Sequence, residues 1–301
     1  MSGTRRKTGR SRGAASGRTR SFPLRARRGR IRLIRGDCVA EMRRLKAGSV
    51  DVVVTSPPYN AGKDYGTYDD TVPRDDYLAW TRRWAKEVRR VMSVQGSLFL
   101  NVGSRPRDPW VPFDVLAVFR DLLLLQNVIH WVKSIAIEPQ DLSTASRSNK
   151  VLTFGHYQPI NSPRYLNTAH EFIFHLTRTG EVELNRLAVG VPYQDKSNVK
   201  RWASARDDRH CRGNTWFIPY ETIQSRDKER PHPATFPVKL PEMCLRLHGL
   251  NCIRLAMDPF LGLGSTAVAC ANLSVPFVGF EIDQQYLAES SRWVKRALGK
   301  T

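Results

Sequence analysis

Residues 253–281 read IRLAMDPFLGLGSTAVACANLSVPFVGFE, and their pattern decides the fold. An apolar run at 253–257 leads into a glycine loop at 258–265. A small-residue helical stretch follows at 266–273, then a second apolar run at 277–281 that ends on Glu281. Strand, loop, helix and strand in this order make the first half of a nucleoside-binding βαβ unit. Gly262 and Gly264 let the backbone approach a ligand closely, and the helix behind them offers unpaired N–H groups to an anion. An acid at the carboxyl end of the second strand can accept both hydroxyls of a ribose. A tight turn followed by a surface acid is the plainer reading of the same residues.

Beyond Glu281 the sequence holds one more helix, at 284–298, and no third strand for a nucleobase. Residues 31–37 are free to supply it: a short strand at 31–34 runs into Gly36-Asp37-Cys38. The cofactor half is then split between the two ends of the sequence, a circularly permuted order. Between them, 50–55 is a run of β-branched residues broken only by Asp51, the mark of a strand buried on both faces of a parallel sheet. Tyr77, Trp80, Trp84, Val88 and Val91 recur every three or four residues and predict an amphipathic helix over 75–92. Helices are also expected at 39–45, 113–123 and 238–247, and strands at 97–102, 127–133 and 171–176. Strands alternating with helices predict an α/β fold with a mostly parallel twisted sheet.

The 301 residues carry 48 Lys and Arg against 28 Asp and Glu, a formal charge of +20. Residues 1–30 hold 11 of the basic residues and no acid, so the remainder still carries +9. Such a balance points to a polyanionic partner, most often nucleic acid. The first 30 residues have few large apolar side chains and are expected to form a disordered basic tail. No apolar stretch is long enough for a secretory signal or a membrane span, and a cytoplasmic protein is the expectation. Five cysteines (38, 211, 244, 252 and 270) without a CxxC pair argue against a disulfide scaffold or a thiolate metal site, and fit small buried apolar residues.

Ser56-Pro57-Pro58-Tyr59 ends the buried strand, at the sheet edge where α/β proteins bind ligands. Two prolines fix φ and remove two donors, leaving rigid carbonyl acceptors. A serine oxygen beside a proline carbonyl suits an exocyclic amino group, and Tyr59 offers a face for a planar base.

Thr55–Tyr59, then His232-Pro233-Ala234-Thr235-Phe236-Pro237, then Asp258-Pro259-Phe260-Leu261-Gly262-Leu263-Gly264, resemble the permuted, beta-group DNA amino-methyltransferases. The Ser-Pro-Pro-Tyr form resembles the cytosine-N4 members, since adenine-N6 members usually carry Asp in the serine position. The resemblance spans 31–133 and 232–298 and implies a Rossmann-like methyltransferase fold with S-adenosylmethionine as cofactor. It implies that Asp258, Phe260, Gly262 and Gly264, with Ser265 and Thr266 behind them, cradle the methionine part. Thr235 and Phe236 line its end, Glu281 holds the ribose, and Asp37 with Cys38 holds the adenine. Ser56, Pro57, Pro58 and Tyr59 form the catalytic turn. Leu263 departs from the pattern, because many relatives carry a small hydroxyl residue there.

The domain plan that follows has a tail at 1–30, a catalytic half at 31–179, an inserted target-recognition region at 180–229 and a cofactor-binding half at 230–301. Residues 138–167 are a second candidate loop over DNA, and 212–219 resemble the segment leading back into the catalytic domain. The expected activity is methylation of the N4 amine of a cytosine flipped out of double-stranded DNA. An adenine-N6 enzyme of the same fold and a catalytically idle DNA-binding protein are the competing readings. A homodimer and a cognate restriction endonuclease are the further partners the resemblance raises.

Overall fold

The computed structural model describes residues 21–25, 30–60, 62, 70–141, 150–155, 160–197, 199, 208–219 and 235–299. Its core is a nine-stranded sheet: β1 (Ser21–Arg25), β2 (Arg30–Arg35), β3 (Val50–Thr55), β4 (Met92–Val102), β5 (Leu124–Val132), β8 (His170–Thr177), β9 (Thr215–Phe217), β10 (Ala256–Asp258) and β11 (Phe277–Glu281). The strands lie in the order β1-β2-β11-β10-β3-β4-β8-β5-β9. From β2 to β4 every neighbour is parallel, while β8 runs antiparallel between β4 and β5. A separate hairpin pairs β6 (Ser134–Ile137) with β7 (Leu152–Gly155).

Among the described residues six helices cover the two faces. On one side lie α1 (Cys38–Arg43), α2 (Arg74–Val91) and α3 (Val111–Val118), packing Met42, Tyr77, Trp84, Val88 and Val115 onto Val53, Leu98 and Leu100. On the other lie α4 (Lys239–His248), α5 (Ser265–Asn272) and α6 (Gln284–Leu298), packing Leu240, Leu245, Ala269 and Leu287 against Val52, Val54 and Phe99. From Val52 to Val54 the β3 residues alternate between the two cores, and all six are buried, as a strand covered on both faces of a parallel sheet requires. Each fully buried Val, Leu or Phe contributes about 1.5–3 kcal/mol over its exposed state, so both faces are needed to hold the sheet.

The missing third strand is where the permuted order puts it. β2 pairs in parallel with β11, Ile31 opposite Phe277 through Arg35 opposite Glu281. The chain crosses from β3 to β4 through α2 on one face and from β10 to β11 through α5 on the other. The sheet therefore reverses its winding between β3 and β10, and a crevice opens beyond their carboxyl ends.

Several elements differ from the sequence reading. Residues 21–25 of the expected tail form β1, paired antiparallel with β2; residues 1–20 and 26–29 lie outside the described residues. Strand pairing on a sheet edge needs backbone groups more than side-chain bulk, and an edge tolerates Pro23. The helix expected to reach 123 stops at Val118, where Arg82 of α2 donates to the Val118 carbonyl and to Asp121. β9, within the 212–219 segment expected to lead back into the catalytic domain, adds Trp216, 1% exposed, to the central sheet beside β5. Val189 packs into the same core as Trp216, and an isolated bridge from Val191 to His210 closes the base of the segment between them. Cys38, Cys244 and Cys270 are buried as expected, but Cys211 and Cys252 are exposed. Among the described residues no helix is long and apolar enough to cross a membrane.

Candidate active site

The crevice beyond β3 and β10 is a pocket lined by all the residues singled out from the sequence except Thr266. Gly36, Trp80, Leu261, Leu263, Phe280, Ile282 and Tyr286 complete its wall. Thr266 is fully buried one layer behind, its hydroxyl donating to Asp258 Oδ2 at 2.8 Å. His232, Pro233 and Ala234 lie outside the described residues.

The glycine loop owes its shape to two acids. Gly264 sits at φ +85°, which glycine alone adopts freely, and a Cβ there would come within 2.9 Å of Ser290 Cβ. Glu281, at the end of β11, accepts the Gly262 amide on Oε2 at 2.8 Å and the Asp283 amide on Oε1 at 2.9 Å. Burial pushes its carboxyl up to about 7, although those amides favour the charged form. Each oxygen retains a lone pair for a hydroxyl donor.

Asp258 turns its carboxylate inward. Oδ1 accepts from Thr55 Oγ1 at 2.7 Å and from the Phe260 amide at 3.0 Å, and Oδ2 accepts from Thr266. The carboxyl is 1% exposed, and burial raises it to about 6. It therefore ties the end of β10 to Thr55, the residue before the Ser-Pro-Pro-Tyr turn. Asp258→Ala should cost about 1–3 kcal/mol, since buried donors lose their acceptor while the penalty of burying the carboxylate is relieved. Urea unfolding measures this, and an unchanged midpoint would mean that the threonines find other acceptors.

The turn itself is clamped. The Pro58 carbonyl accepts from Tyr77 of α2 at 2.8 Å, so one of the rigid carbonyl acceptors expected of the turn is already committed. Asn60 follows at φ 54°, a left-handed geometry that asparagine tolerates, held by its amide on the Val72 carbonyl. Ser56 Oγ and Tyr59 Oη lie 2.6 Å apart. Behind them the structure brings up Asn101 of β4, Glu171 of β8 and Lys133, which follows β5. Sequence reading passed over these three. The available signal was a charged residue at each of two positions in otherwise apolar strand runs.

The other end of the pocket suits an adenosine. Asp37 caps α1, accepting from the Ala40 amide at 2.9 Å, and burial holds the Cys38 thiol in its neutral form. Phe260 and Phe280 supply apolar walls, and α5 starts at Gly264 with no side-chain cap. An acid for hydroxyls, apolar walls for a purine and an uncapped helix start for a carboxylate fit the donor set of S-adenosylmethionine.

Fold and pocket together define a Rossmann-like methyltransferase. The chain belongs to the DNA methylase family of N4 and N6 amino-methyltransferases, whose family model matches residues 50–292. It is 25% identical over 259 residues to the type II methyltransferase M.HpaI of Haemophilus parainfluenzae, covering 85% of this chain and 71% of that protein. The structure of PvuII DNA methyltransferase, a cytosine-N4-specific enzyme, superposes with a TM-score of 0.60 at 19% identity, covering 90% of this chain and 93% of that one. TTHA0409 of Thermus thermophilus, described as a DNA modification methylase and solved with S-adenosyl-L-methionine, gives 0.55 at 22% identity, with 89% and 94% covered. These likenesses agree on the fold. The protein is a DNA methyltransferase, and S-adenosylmethionine is its cofactor.

Proposed function

We propose that this methyltransferase acts on the N4 amine of cytosine in double-stranded DNA, with Ser56, Pro57 and Tyr59 as the groups that meet the base. The observation that carries this reading is a serine hydroxyl, not a carboxylate, in the wall of the pocket, 2.6 Å from the Tyr59 hydroxyl. The amine lone pair of cytosine is delocalised into the ring, and the base must leave the duplex to reach a site this deep. Ser56 Oγ and the Pro57 carbonyl accept the two amine protons, favour a pyramidal nitrogen and aim its lone pair into the pocket. Tyr59 stacks on the ring. The cofactor supplies an electrophilic methyl group on a sulfonium.

Asp37 and Cys38 meet its adenine, Glu281 its ribose, and Thr235, Phe236, Phe260, Gly262, Gly264 and Ser265 its methionine end. Positioning and electrostatics provide most of the acceleration. The +9 charge outside the first 30 residues favours a phosphate backbone, and residues 192–209 and 138–167 are the proposed base-reading segments. The test is mass spectrometry of nucleosides from DNA incubated with protein and cofactor. N4-methylcytosine is expected. N6-methyladenine would overturn the substrate while keeping the family.

A further inference from the structure

Methyl transfer to an amine leaves a nitrogen with one proton too many, and the pocket wall's carboxylates are engaged elsewhere (Asp37 capping α1, Asp258 holding Thr55 and Thr266, Glu281 holding the glycine loop), so none offers a base to take it. The cluster behind Ser56 does. Glu171 Oε2 accepts from Tyr59 Oη at 3.1 Å and from Asn101 Nδ2 at 2.6 Å. Its Oε1 accepts from Lys133 Nζ at 2.8 Å, and the two side chains are 12% and 15% exposed. Asn101 Nδ2 also donates to Tyr59 Oη at 2.7 Å. Of the two acceptors in reach of the Tyr59 hydroxyl, Glu171 is nearer than the Asn101 carbonyl at 3.3 Å, and giving its proton there leaves the Tyr59 oxygen to accept from Ser56 across 2.6 Å. Ser56 Oγ is then an acceptor toward the pocket. Every hydrogen bond in the chain points the same way.

Resting on the amino-methyltransferase reading, we propose that Glu171 is the terminal proton acceptor of the reaction, reached from the substrate amine through the hydroxyls of Ser56 and Tyr59, with Lys133 as the residue that keeps it charged. The N–C bond forms as the S–C bond breaks, its electron pair staying on sulfur. The amine proton moves to Ser56 Oγ, the serine proton to Tyr59 Oη and the tyrosine proton to Glu171, which becomes a neutral acid. Nothing is oxidised or reduced.

Burial alone would push the Glu171 carboxyl up, but the Lys133 charge and the bonds from Asn101 and Tyr59 outweigh it and hold the group below the usual range. A carboxylate is a weak base, yet a methylated amine that still bears its extra proton is a strong acid, so the transfer runs downhill. The other titratable group coupled to Glu171 is His170 beside it on β8, which in turn lies against His130 of β5. Burial, with the charges of His130 and Lys133, shifts His170 towards its neutral form.

The test is the pH profile of single-turnover methylation of a cytosine-containing duplex. With cofactor saturating at every pH, the wild-type rate should be flat from neutral pH down to about 5.5, because Glu171 stays ionised. Glu171→Gln and Tyr59→Phe should each lower the rate on the order of 10–100-fold, the scale of one proton-transfer group, and leave cofactor and duplex affinity within about two-fold. Lys133→Met should move the acid limb up by a unit or more, and the carboxyl infrared band of cofactor-free protein should move with it. A purely structural ion pair would lower the rate at every pH without displacing the limb, and that result overturns the relay. Should Lys133→Met fail to fold, Tyr59→Phe decides, since it keeps the ion pair and cuts only the chain; a wild-type rate there also overturns the relay. If wild-type protein yields no methylated nucleoside, the activity reading itself falls, which no variant result can mimic.

Discussion

Ser56→Ala loses turnover by a factor on the order of 10–1000, the range for removing one positioned polar group from a reaction centre. The change takes away the first acceptor of the amine and leaves the rest of the turn in place. Tyr59 keeps its bonds to Asn101 and Glu171, and Pro58 keeps its anchor on Tyr77. The protein should therefore unfold at the wild-type temperature and bind S-adenosylmethionine with unchanged affinity. Single-turnover kinetics with thermal unfolding and calorimetry separate these quantities. Full activity in Ser56→Ala would make the turn a scaffold and send the search for the amine's acceptor elsewhere.

Glu281→Ala weakens cofactor binding at least tenfold, since charge-assisted hydrogen bonds contribute about 1.5–3 kcal/mol each and two are lost. The substitution also strips the Gly262 and Asp283 amides of their acceptor, so the loop loses its shape as well as its ligand. Wild-type affinity carries a further signature. With the carboxyl pushed up to about 7 by burial, its charged form is only partly populated at neutral pH. The acid form turns one oxygen from acceptor to donor. Affinity should rise as pH climbs through about 7 and level off above it, and Glu281→Ala should show no such rise. Calorimetric titration from pH 6 to pH 8.5 checks both, and unchanged affinity in a folded variant removes Glu281 from the site.

Much of this architecture is legible without coordinates because its signals are local. A six-residue run with five β-branched residues, a glycine loop and an acid closing the next strand identify β3, the cofactor loop and β11. The absence of a third strand downstream pointed to β2. What escaped depends on pairing between distant residues. Residues 170–177 read as a strand, but nothing in HEFIFHLT says that it inserts antiparallel between β4 and β5. That insertion brings Glu171 up to Asn101 and Lys133, so the polar cluster was as hidden as the pairing that builds it. Trp80 was assigned to the helix core, yet it reaches the pocket, its ring 5.4 Å from Phe260. Helical periodicity gives the face a residue occupies but not how far along the crevice that face extends. The strand at 21–25 escaped because composition measures what a segment can bury, not which backbone groups await a partner.

The interleaving of β10 and β11 between β2 and β3 also constrains how the protein emerges from a ribosome. β2 and β3 are translated early, but the two strands that separate them in the sheet arrive some 200 residues later. At about 5–20 residues per second, the nascent chain waits roughly 10–40 s with both strands unpaired on their facing edges. During that interval the catalytic turn can exist, but neither the glycine loop nor Glu281 does, so a partly made chain cannot load its methyl donor. Exposed edges of this kind invite pairing with other chains. Expression should therefore be limited by chaperone supply during elongation, and fragments ending before residue 256 should accumulate as aggregates.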